Sequence, residues 1–350
     1  MLPRMLFIAV LLLYALGLVM IFNTSSAEAL DNSLFEKTHQ ALFRQCFYGF
    51  VGVVLSVMLF RLGYKRLLEL SPLILAVFTF LLLAVFLPGI GMKVNGSRRW
   101  VNLAGWSLQP SEFVKYIAPL YFVYRLLKIP EEVSFRQFIS IGTILSIPLV
   151  LILLEPNNGT AGVLGFVLTM VCFLAKVPMR YWALPLVCVS LVGAVFAMNL
   201  PYVAGRIQVY LDPEIDLKGK GHQPYQAKIA SGSGGIVGKG PGMSLQKLSY
   251  LPEAQNDYIA AIFAEEYGFV GIATLISIYT WLGVIGFGIA MNAKNVTGMY
   301  VAAIITFLMT FQAFLNLSVV SGLVPSTGLN LPFFSQGGSS LIAHFAGVGL

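Results

Sequence analysis

The chain has 350 residues, 57% of them hydrophobic and 11% charged, with a formal net charge of +7. Ordinary soluble domains are about 25% charged, so this composition, with a mean hydropathy of +0.82, excludes a water-soluble enzyme. Most of the exterior must face lipid, where backbone groups are satisfied only inside helices or closed barrels, and long apolar runs decide for helices.

About 20 residues at 1.5 Å rise cross a hydrocarbon core. On that measure the sequence predicts ten spans, over 5–22, 46–62, 71–88, 111–127, 138–154, 160–176, 182–200, 258–290, 297–320 and 337–350. The first run ends in bulky Met20, Ile21 and Phe22, which do not suit signal peptidase, so it reads as a retained span. The last stops at Leu350 without a polar tail, as in a chain trimmed or unusually short there.

With the N-terminus inside, ten cations fall in inner loops and five in the short outer ones, Lys37, Arg44, Lys93, Arg98 and Arg99. Positive loops face the cytoplasm, so a cytoplasmic N-terminus is expected. Two outer segments then stand apart. Residues 89–111 mix glycine turns, three cations and two tryptophans. Residues 201–256 carry nine glycines, six Lys/Arg and four Asp/Glu, enough for a separate extramembrane layer.

Cys46, Cys172 and Cys188 lie in or beside apolar segments without CxxC spacing, which makes them inert thiols. His39, His222 and His344 are scattered singly, so no metal motif is present. The Gly-Gly pairs at 234–235 and 337–338 fit no nucleotide-binding pattern and belong to turns with close backbone approach or positive φ.

Candidate chemistry lies at the outer ends of the spans. Pro110 suits a first helical turn, which puts Glu112 and Lys115 on one helix face at i and i+3. They form either a structural ion pair or the lining of a polar cavity in which Lys115 meets an anion. Arg98-Arg99-Trp100 is either an interfacial anchor or a phosphate-binding pair. Asp257 falls where the eighth span begins, as an N-cap or as a carboxylate favoured by the helix dipole. Glu265 and Glu266 continue into that helix and need polar partners.

Four ordered segments carry a family resemblance across essentially the whole chain. Gly96-Ser-Arg-Arg-Trp100, Gln109-Pro-Ser-Glu-Phe-Val-Lys115, Tyr250-Leu-Pro-Glu-Ala-Gln-Asn-Asp-Tyr258 with Glu265-Glu266-Tyr-Gly268, and Leu331-Pro-Phe-Phe-Ser-Gln-Gly-Gly-Ser-Ser340 resemble those of the SEDS proteins of shape, elongation, division and sporulation. The run from Ser244 to Ala254 is closer to the division branch than to the elongation branch. The resemblance implies an all-α, ten-helix protein of the bacterial cytoplasmic (inner) membrane, a single unit over 1–350. A large extracytoplasmic loop, 201–257, separates its spans seven and eight.

The implied activity is inverting peptidoglycan glycosyl transfer, polymerising lipid II into glycan strands at the outer face during cell division. Asp257 takes the family's acidic position as general base, flanked here by Gln255, Asn256 and Tyr258. Arg98, Arg99, Lys115 and Lys247 become candidates for the substrate pyrophosphate, with Glu112 holding Lys115. No cofactor is required, although Mg2+ or Mn2+ is compatible with such chemistry. The implied partners are membrane lipid, a class B penicillin-binding protein and other divisome proteins, and no nucleic acid. A lipid II flippase and a non-catalytic division scaffold are the alternatives. Transport needs charges through both halves of the membrane, whereas the charges singled out here gather at the outer end.

Overall fold

A computed structural model describes residues 1–31, 36–94, 97–103, 106–129, 132–187, 201–212, 219, 221–248, 251 and 254–350. Its named helices are α1 (Leu2–Asp31), α2 (Glu36–Leu62), α3 (Tyr64–Ala84), α4 (Pro110–Leu127), α5 (Phe135–Leu154), α6 (Asn158–Leu174), α7 (Pro201–Leu211), α8 (His222–Ser233), α9 (Ile259–Met291), α10 (Val296–Val320) and α11 (Gly338–Val348). Nine of the ten expected spans coincide with described helices, and residues 188–200 of the seventh, 182–200, with Cys188, lie outside the described residues. Six, namely α1, α2, α3, α5, α9 and α10, are long and apolar enough to cross a membrane by length and composition. Helices α6 and α11 are shorter, and α4 carries Glu112, Lys115 and Arg125.

Local chemistry sets several helix starts. Pro110 opens α4, where its missing N–H loses no bond. Ser134 and Gln137 form a reciprocal capping box on α5, and Asn295 Oδ1 accepts from Gly298 N at 2.8 Å to cap α10.

The core gathers around α4 and α10. Thirteen of the eighteen α4 residues are buried, and α4 packs on α3, α5, α6, α10 and α11. Helix α9 packs on α10 and α1, and α11 on α2. Large apolar side chains such as Phe60, Phe80 and Phe173 point outward on the peripheral helices, as lipid-facing surfaces require.

The expectation of a wholly helical chain needs correction. Strands β1 (Gly91–Val94), β2 (Ser97–Leu103) and β3 (Trp106–Leu108) form an antiparallel sheet of order β1-β2-β3. Met92 pairs with Trp100, Lys93 with Arg98 and Val101 with Leu108. Alternation sends neighbouring side chains to opposite faces, so Val101 is buried while Arg98 is exposed. Trp106 rests on Phe47 of α2, ring centroids 4.9 Å apart. This defines a sheet end of the bundle.

The segment expected as a separate layer is joined to the helices instead. Helix α8 packs on α9 and buries Ala227 and Ala230. Residues 235–240 then complete a break in α9, where Gly268 adopts φ 65° and ψ −160°. The orphaned carbonyls of Glu265 and Glu266 accept from Lys239 N and Gly240 N, both at 3.0 Å. The orphaned N–H groups of Phe269 and Val270 donate to the carbonyls of Gly235 at 2.9 Å and Ile236 at 3.1 Å. The loop thus supplies the bonds that a broken helix lacks.

Candidate active site

Asp257 lies one residue before Tyr258, the N-cap of α9, and no side-chain bond caps that helix at its N-cap. The aspartate is therefore not the N-cap. It is half-buried in a polar cleft of about 50 Å³, beside Gln223, Asn316, Ser326, Thr327 and Gly328. Its Oδ2 sits 3.7 Å from where a Cβ on Gly328 would lie, and Gly328 has φ +71°. Asn316 of α10 donates its Nδ2 to Asp257 O at 2.8 Å and to Leu329 O at 2.7 Å. One amide therefore ties together the two walls of the cleft.

One turn earlier on α10, Gln312 Nε2 donates to Asn330 O at 2.8 Å. Its Oε1 accepts from Lys115 Nζ at 2.7 Å, and Lys115 also meets Glu112 Oε2 at 2.7 Å. Lys115 is 0% exposed, so its ammonium is closed off inside the bundle. An ion pair this deep needs further hydrogen bonds to offset desolvation, and Gln312 supplies one. Gln312 and Asn316 escape a search for charged motifs. The signal for them is two amides at i and i+4 on an otherwise apolar membrane helix.

The two arginines on β2 diverge. Arg98 is exposed. Arg99 turns inward, and its guanidinium donates to the carbonyls of Glu155 at 3.1 Å and Pro156 at 2.6 Å. That turn also carries buried Asn157, which donates to Ser111 Oγ at 3.3 Å. It packs so closely on the Asp257 side that a Cβ at Gly159 would lie 2.3 Å from Thr327 O. Arg99 thus borders the region that holds Asp257.

Glu155, absent from the sequence-based candidates, is 0% exposed, and neither carboxylate oxygen has a hydrogen-bond partner. Burial pushes its carboxyl up from 4.5 to about 8, against the pull of the Arg99 guanidinium. The folded protein keeps this proton up to about pH 8, whereas the unfolded chain releases it near pH 4.5. Stability is therefore lost as pH rises through that window, by about 3 kcal/mol at pH 7. Glu155→Gln is expected to unfold at a higher temperature than the parent at pH 8, with the difference vanishing toward pH 4.5. Thermal unfolding across pH checks this, and a constant difference at every pH contradicts it.

Lys247 is not among the residues lining the Asp257 cleft. Its Nζ lies 2.9 Å from Glu266 Oε1 and donates to Asn23 Oδ1 and Gly242 O, each at 2.7 Å. The physical reason is Glu266 itself, a buried carboxylate inside a membrane helix that demands a counter-charge. Glu265 is likewise absorbed. It accepts from Lys239 Nζ at 2.6 Å, from Ser244 Oγ, and from the N–H groups of Leu245 and Gln246 at 3.4 and 3.3 Å. The acidic stripe of α9 therefore fastens the loop. Among the described residues no group of three His, Cys, Asp or Glu side chains comes together in a way that would hold a metal.

Several lipid-length helices, a charged pair buried inside the bundle and a half-buried carboxylate in a polar cleft define a multi-pass membrane protein. The chain belongs to the FtsW/RodA/SpoVE family, described as cell cycle protein, which it matches over residues 3–350. A probable peptidoglycan glycosyltransferase FtsW of Geobacter metallireducens is 36% identical over 337 residues, 95% of this chain and 89% of the relative. Stage V sporulation protein E of Bacillus subtilis is also 36% identical, over 356 residues, 99% of this chain and 94% of the relative. Among solved structures, the fold is similar to a chain described under the structural coordination of polymerization and crosslinking by a peptidoglycan synthase complex. The TM-score is 0.78 at 28% identity, covering 98% of this chain and 94% of that one.

Proposed function

We propose that this chain is a peptidoglycan glycosyltransferase that polymerises lipid II into glycan strands during division, at the outer face of the cytoplasmic (inner) membrane. The observation that carries the reading is Asp257, a half-buried carboxylate in a polar cleft with its main chain fixed by Asn316. Near-full-length similarity to named peptidoglycan glycosyltransferases supports it. In this reading the chain spans the membrane ten times, with a cytoplasmic N-terminus, and the sheet end faces outward. Residues 201–257 form the extracytoplasmic loop of a single unit over 1–350.

The reaction joins an acceptor sugar hydroxyl to C1 of a donor sugar. Asp257 takes the hydroxyl proton as the new C1–O bond forms on the face opposite the leaving group. The bond from C1 to the pyrophosphate breaks, and the lipid pyrophosphate departs with the electron pair, giving inversion. Arg99, whose guanidinium has further N–H groups beyond those given to Glu155 O and Pro156 O, or exposed Arg98 on the opposite face of β2, stabilises that charge by contacts to phosphate oxygens. Glu112, Lys115 and Lys247 support the site from inside the protein. A Mg2+ or Mn2+ ion brought in with the substrate would supply further neutralisation of the pyrophosphate charge.

The test is labelled lipid II incubated with the purified chain, alone and with its class B penicillin-binding protein. Glycan strands in either mixture are expected. Absence of strands from both overturns the reading, and lipid II crossing vesicle bilayers without polymerisation would favour transport.

A further inference from the structure

One hydrogen-bonded route runs from the buried ion pair to the turn that holds Asp257, and a second reaches that turn from Leu329, next to Asn330 in the chain. Lys115 Nζ carries only donors, so it fixes Gln312 with Oε1 toward itself and Nε2 toward Asn330 O. Asn330 Nδ2 donates to Gln336 O at 2.6 Å, and Gln336 N donates to Gln255 O at 2.9 Å. The other route is Asn316, bonded to Leu329 O beside Asn330 and to Asp257 O. The first route ends on residue 255 and the second on residue 257. Gln312 and Asn316 are each 1% exposed, so water does not replace their bonds.

The geometry points to Gln312 and Asn316 as positioning residues for the Asp257 carboxylate, with Gln312 oriented by the Glu112–Lys115 pair. This inference rests on the glycosyltransferase reading above. The pair acts on the reaction through α10 and needs no contact with substrate. A buried amide has four hydrogen-bonding directions, and Lys115 removes the choice between its two flipped states for Gln312. The turn at 255–257 is then held at both ends, which sets where the carboxylate points. Misplacement of a reacting group by about 1 Å slows a reaction on the order of 100-fold, so loss of either route should show in turnover.

The test uses the full chain with its penicillin-binding protein partner and labelled lipid II. Gln312→Glu keeps the bond to Lys115 and the side-chain shape but removes the donor to Asn330. Asn316→Asp keeps the shape but removes the donors to both carbonyls. Each variant is expected to lower kcat about tenfold or more per folded molecule, with KM changed less than about twofold and the acid limb of the pH profile displaced. Because both routes converge on one turn, the double variant should be less impaired than the product of the two single effects. Unchanged kcat and an unmoved pH profile per folded molecule in either variant overturn the inference, even if the yield of folded protein falls. An active wild type with unaffected variants refutes this inference alone, whereas an inactive wild type refutes the functional reading. Should one variant not fold, the other decides.

Discussion

Replacing Asp257 with asparagine is expected to abolish glycan-strand formation while the protein remains folded. The substitution keeps the size of the side chain and removes its capacity to take a proton. General bases contribute roughly 10²–10⁴-fold to such reactions, so a loss of at least about 100-fold is expected. The fold should survive because Asn316 holds the main-chain carbonyl of residue 257, which asparagine retains. The side chain itself is half-buried and stands outside the helix that follows. Lipid II binding should be preserved, since the proposed phosphate contacts lie on β2. Strand length from labelled lipid II and thermal unfolding of the same preparation provide the check. Strands of ordinary length from Asp257→Asn would remove the carboxylate from the mechanism.

The largest stability effect is expected at Gly268. An alanine there would carry positive φ, which costs about 1–2 kcal/mol for an ordinary residue. Its Cβ would lie 2.4 Å from Gly238 N and 2.6 Å from Ile236 O. Both neighbours are main chain, so relief requires moving the loop and stretching the four bonds that bridge the break in α9. Each buried backbone group left without a partner adds about 1–3 kcal/mol, which brings the total to about 4 kcal/mol or more. Gly268→Ala should therefore give little folded protein and a sharply lower unfolding temperature in detergent. Gly162→Ala is the control, because a Cβ there meets nothing within 4 Å, and helical alanine is preferred over glycine by about 0.5–1 kcal/mol. Equal unfolding temperatures for Gly268→Ala and Gly162→Ala would show that the loop does not bear on α9.

The membrane helices were legible because their apolar runs are long, and hydropathy integrates over a whole span. The sheet was not: β1 and β3 have 4 and 3 residues, too short for alternation to stand out among glycine turns. Asp257 and the Glu112–Lys115 pair were legible from position and resemblance. What spacing left open was whether Lys115 faces a ligand or the protein, and burial against Gln312 answers that only in three dimensions. Lys247 illustrates the opposite failure. Its charge and loop suggested a phosphate ligand, but the buried Glu266 claims it from across the fold. Glu155 was hidden in a turn that reads as ordinary loop, since no sequence pattern reveals a carboxylate left without partners.

The spliced break in α9 has a bearing on how parts of this family can be exchanged. Residues 233–247 and 265–270 contact each other through main-chain bonds and through carboxylate clasps at Glu265 and Glu266. A chimera that borrows the outer loop from one relative and the following helix from another would cut through this joint. The transplantable unit therefore runs from α8 through Val270 of α9, with Asp257 inside it.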